Sequence, residues 1–63
     1  MLQFTDLNHE KHCINFALLN NVVFREKDDC SVVSFHMQGH HVVPVSVDRV
    51  TAERLHKELG EME

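Results

Sequence analysis

CSVVSFHMQGHHVVPV, residues 30–45, is the stretch on which the fold turns. Valine and phenylalanine dominate both of its halves, and both types favour the pleated, half-buried surface of a strand. Gly39 separates the halves and permits the positive φ that a tight hairpin turn demands. A loop of Gln38 and Gly39 sets His40 opposite Met37, His41 opposite His36 and Val42 opposite Phe35. Period-two alternation puts Ser31, Val33, Phe35 and Met37 on one face and Cys30, Val32, Ser34 and His36 on the other. The returning strand carries valines on both faces. A sheet apolar on two sides needs two covers.

Outward from this hairpin, NVVFREK (residues 21–27) is again β-branched and aromatic, and Asp28 and Asp29 supply turn chemistry before Cys30. Leu2 and Phe4 share a face in LQFTDL, so Leu2 to Asp6 is expected as a first strand, with NHEK as the following turn. HCINFALL continues as a second strand, or as a strand ending in one helical turn capped by Asn15.

Toward the C-terminus the period changes. Ala52, Leu55, Leu59 and Met62 form one stripe, while Arg49, Glu53 and Lys57 line the opposite side. Ser46 is the expected N-cap, Val45 and Val50 a hydrophobic staple, and Asp48 suits the positive first turn. Lys57 and Gly60 suit the helix end, and Pro44 marks where the strand before it should stop. Glu53 with Lys57 and Arg54 with Glu58 are favourable i to i+4 pairs. The expectation is a single α+β domain over residues 1–63: about five short antiparallel strands within residues 2–45, then one helix over about 47–59.

A chain of 63 residues buries only about 60% of the surface its unfolded form exposes. Such a marginal core is commonly reinforced by disulfides, metal or self-association. Cys13 and Cys30 lack framework spacing and read as reduced thiols acting as small hydrophobes. No apolar run approaches the ~20 residues of a membrane span, and MLQFTDLNHEK has neither a basic nor an apolar leader region. A cytoplasmic location without membrane contact is expected. Ten acidic against six basic side chains, a formal charge of −4, count against nucleic acid at neutral pH, because phosphate binding rests on lysine and arginine.

The histidines raise the metal question. With His36 and His41 directly opposed, their β-carbons lie close enough to share zinc or nickel, and these two are the candidate ligands. Cys30 shares the His36 face but lies roughly 20 Å away along the strand. His9, His12 and Cys13 form a second group, HEKHC, without the paired short spacings of a structural zinc site. Clustered imidazoles also admit a pH-switch reading. Catalysis is not expected: adjacent His12 and Cys13 point to opposite faces of a strand, and there is no phosphate loop, GxSxG elbow or HExxH helix. No catalytic residue and no cofactor are assigned.

LQFTDLN, INFALLNNV and GHHVVPVSVDRV together resemble the FlbD-like family of short bacterial flagellar proteins, over Leu2 to Val50. His9 stands where that family favours glycine. The resemblance implies a non-enzymatic, cytoplasmic accessory protein linked to motility, with no catalytic residue to carry over. The strand, glycine, strand, helix outline also looks like part of a LytTR DNA-binding domain, without its basic contacts. Five strands and a C-terminal helix are similar to the carbon storage regulator family of RNA-binding dimers, although LQFTDL and VVPVSV lack that family's arginines. The reading is therefore a non-enzymatic regulatory or protein-interaction module that binds an unidentified protein partner and self-associates, as a homodimer, through a second sheet face containing Val32, Val43 and Val45. An RNA-binding dimer and a histidine-based metal protein are the alternatives.

Overall fold

A computed structural model describes residues 1–61; the stripe position expected at Met62 lies outside the described residues. Five antiparallel strands form two sheets, followed by one helix. Strands β1 (Leu2–Thr5) and β2 (Lys11–Ile14) make a hairpin. A single 3-10 turn, Phe16–Leu18, leads into β3 (Leu19–Glu26), β4 (Ser31–Met37) and β5 (His41–Val47), a sheet of order β3-β4-β5. Helix α1 spans Arg49–Gly60. The 3-10 turn forms as Asn15 predicts, its side chain accepting from the Ala17 N–H at 3.0 Å.

Leu2, Phe4 and Ile14 from the hairpin join Val33, Phe35, Val45 and Val47 from the sheet and Ala52 and Leu55 from the helix in one core. Phe4 stacks on Phe35 with ring centroids 5.5 Å apart, which locks the hairpin to the sheet. Hairpin and helix thus cover the same face of the three-stranded sheet. Two arginines tie the helix down: Arg54 donates to the Gln3 carbonyl at 2.8 Å, and Arg49 donates to the Lys27 and Asp28 carbonyls at 2.8 and 2.9 Å. Arg49 therefore clasps the β3–β4 turn instead of lining a solvated stripe. Arg54 also meets Glu58 at 3.0 Å, while no ion pair joins Glu53 to Lys57 among the described residues.

The register of the β4–β5 hairpin differs from the sequence expectation by one residue. Met37 pairs with His41, His36 with Val42 and Phe35 with Val43, so the loop is Gln38, Gly39 and His40. Gly39 has φ +80° and His40 φ +64°, and a histidine in the left-handed region is what the sequence pattern does not announce. A one-residue slip exchanges the faces of the whole returning strand. Val43 and Val45 consequently turn inward, Val45 into the core itself and Val43 against it. Of the three valines expected on the second face, only Val32 lies there.

The strand-to-helix junction also lies later than expected. Strand β5 runs through Pro44 and Ser46 to Val47. The N-cap is Asp48, whose Oδ1 accepts from the Thr51 N–H at 2.7 Å. The staple positions are then Val47 and Ala52, both buried, whereas Val50 is 77% exposed. Pro44 is tolerated inside the strand for a geometric reason. The Ser46 carbonyl accepts from the Leu7 N–H across the outer edge of β5, so Pro44, two residues earlier, turns its missing donor to that same edge and costs the ladder nothing.

Candidate interaction surface

The outer face of the three-stranded sheet is composed by alternation. It carries Asn21, Val23 and Arg25 from β3, Val32, Ser34 and His36 from β4, and Val42, Pro44 and Ser46 from β5. Its centre is apolar: Val23 is 39% and Val42 50% exposed, with Val32 half-buried between them. Neither the helix nor the hairpin reaches this face.

The two edges of the sheet differ. Edge β5 is blunted by Pro44 and occupied by Leu7. Among the described residues no strand lies beyond edge β3. Its inward-facing side chains, Val22 and Phe24, are half-buried, and they border an open groove of about 650 Å³ between β3 and the helix. Phe16, Leu19 and Leu59 line the same groove. His56 closes part of it, meeting Phe24 edge-on at 5.3 Å. The helix axis favours β1 and β4, which leaves the β3 flank of the core thinly covered.

The register governs the candidate metal ligands. His36 faces outward opposite Val42, and His41 lies opposite Met37 on the other face, so the directly opposed pair does not form. Both border a depression of about 300 Å³ at the loop end together with His40, yet no three His, Cys, Asp or Glu donors converge anywhere among the described residues.

The HEKHC group also divides. His9 is exposed in the loop, Cys13 points outward opposite Gln3, and His12 turns inward opposite Phe4. Stacked on Phe4 at 5.0 Å, His12 engages Asp6 through an Nε2···Oδ2 contact of 2.7 Å. Asp6 also accepts from the Asn8 and Glu10 N–H groups at 2.8 and 3.0 Å. The His12 hydrogen bond first, and then these two backbone donors, hold the Asp6 carboxyl below the usual aspartate range. Asp48 is likewise lowered, by the Thr51 side chain and then its N–H. The Asp6–His12 contact was not foreseen from sequence; its signal is an aspartate that opens a turn and a histidine six residues later, two positions beyond the residue opposite the aspartate on the returning strand. Its atoms are committed to holding the hairpin loop.

No family model, curated protein or solved structure matches this chain.

Proposed function

We propose that this chain is a small non-enzymatic interaction module that associates with a second copy of itself and presents its sheet to a further protein partner. The observation that carries the reading is the uncovered apolar face of Val23, Val32 and Val42 on a domain whose core has no cover to spare for it. Exposed apolar patches rimmed by polar residues are characteristic of protein contact surfaces, and here Asn21, Arg25, Ser34, His36 and Ser46 form the rim. Free thiols at Cys13 and Cys30 fit a reducing, cytoplasmic setting. On the FlbD-like resemblance, the further partner belongs to the motility apparatus or its control. Sedimentation of untagged protein across a micromolar concentration series tests the reading. A mass of two or more chains at the upper concentrations supports it, and a single-chain mass throughout sinks it.

A further inference from the structure

We propose that the second copy docks on the free edge of β3, pairing strand to strand in antiparallel register about a two-fold axis through Val23. This inference rests on self-association and specifies where it occurs.

Hydrogen-bond parity shows what that edge offers. Lys27 donates its N–H to the Cys30 carbonyl, so Arg25, Val23 and Asn21 likewise bond inward to β4, and Val22, Phe24 and Glu26 turn their N–H and C=O groups outward. Among the described residues no other element meets the outward groups of Val22 or Phe24. Beyond the register break between Leu19 and Asn21, the regular run of β3 from Asn21 to Glu26 carries a row of free donors and acceptors, which is a template for another strand. The contrast with β5 is informative, because that edge carries both a proline and a crossing loop.

The sequence along β3 identifies the occupant. Residues 20–26 read NNVVFRE, polar, apolar, then polar again, symmetric about Val23. Pairing two copies so that outward backbone groups meet requires even-numbered residues to face even-numbered ones. Centring on Val23 then sets Val22 against Phe24 of the second copy, Asn21 against Arg25 and Asn20 against Glu26. Apolar meets apolar, polar meets polar, and no like charges are opposed. Centring on Val22 sets Asn20 against Phe24, and centring on Phe24 sets Val22 against Glu26, both mismatched. A patch complementary to itself is what a two-fold contact needs.

Packing agrees with pairing. Paired side chains in an antiparallel ladder share a face, so Val22 and Phe24 of each copy close the groove of the other beneath His56 and Leu59. The contact adds about four backbone hydrogen bonds and completes the core on its thin flank. It also makes a six-stranded sheet in which the outer valine face is continuous across Val23, while both helices lie on the opposite side.

Four single variants, followed by native mass spectrometry and sedimentation with circular dichroism to establish folding, test the edge. Val23→Lys and Val23→Glu each oppose like charges at the axis and should raise the dimer dissociation constant at least about tenfold. Mixed, they should restore a two-chain species holding one of each. Val22→Pro removes an outward N–H that β4 does not use and should also give a folded single chain. Val42→Glu charges the outer face far from the edge and should leave the dimer intact. Should Val22→Pro not fold, the Lys and Glu pair, which keeps every N–H, decides the matter. Folded Val23 variants that stay dimeric, or that fail to combine on mixing, overturn the edge register. A wild-type dimer broken by Val42→Glu but not by the β3 variants retains self-association and overturns the edge. A wild-type protein that stays single-chain overturns both.

Discussion

His9 and His40 each hold φ at +64°, a conformation that costs a side chain with a β-carbon roughly 1–2 kcal/mol. Glycine adopts it freely but loses more entropy on folding, about 0.5–1 kcal/mol. The difference predicts that His40→Gly stabilises the protein by about 0.5–1 kcal/mol, a rise in thermal midpoint of about 2–8 °C for a domain this small. A fall in midpoint would contradict the left-handed assignment of the loop. Asp6 is the other residue with a local consequence. Its folded-state pKa lies below the unfolded value of ~3.9, so it binds protons more weakly folded than unfolded. The stability it contributes is present in full above the unfolded value and disappears as pH falls through the folded one. Asp6→Asn should therefore lower stability at neutral pH and flatten its decline at acid pH; parallel wild-type and variant curves in urea titrations from pH 7 to pH 2 would count against it.

At the scale of the element, β5 and β3 show two ways of ending a sheet. Pro44 and the Leu7–Ser46 hydrogen bond blunt one edge, and among the described residues neither a proline nor a crossing segment covers the other. Pro44→Thr restores an outward N–H without disturbing the ladder to β4. Folding stability should stay within about 0.5 kcal/mol, as for other surface changes, while light scattering reports assemblies larger than the wild type. An unchanged assembly state would show that the Leu7 crossing alone protects the edge. The helix end is organised as economically: Asp48 caps the Thr51 N–H, Arg49 clasps the β3–β4 turn, and Val47 and Ala52 bury the junction from both sides.

For the molecule as a whole, one aromatic contact joins the layers. Phe35 is fully buried and stacks on Phe4, which stacks in turn on His12. Truncating a buried phenylalanine costs about 3–5 kcal/mol, and a chain of this length has roughly 3–9 kcal/mol in total. Phe35→Ala should lower the thermal midpoint by at least about 10 °C, with the β1–β2 hairpin released first; a cooperative thermal transition near the wild-type midpoint would show that the two sheets hold together by other means. If folding is coupled to association, the wild-type midpoint should also rise with protein concentration.

Much of this architecture was legible in local patterns. Valine and phenylalanine runs announced the three strands of the larger sheet, the Leu2 and Phe4 alternation announced the first strand, Asn15 announced its 3-10 turn, and Ala52, Leu55 and Leu59 declared the buried stripe of the helix, because each of these signals acts within a few residues of itself. Register and junctions were not legible in the same way. Whether the loop after Met37 holds Gln38 and Gly39 or also His40 cannot be read from propensity, since a histidine at positive φ is imposed by the pairing it permits. That one residue moved Val43 and Val45 from the outer face to the core and parted His36 from His41. Ser46 and Asp48 are both good caps, and the choice fell to Asp48 because the core claims Val45 and Val47 as strand residues. The open β3 flank, the Asp6–His12 contact and the arginine clasps depend on which elements meet. The sequence determined the elements and their order; tertiary packing decided which faces they turn inward, because burial selects among registers that local chemistry leaves nearly equal.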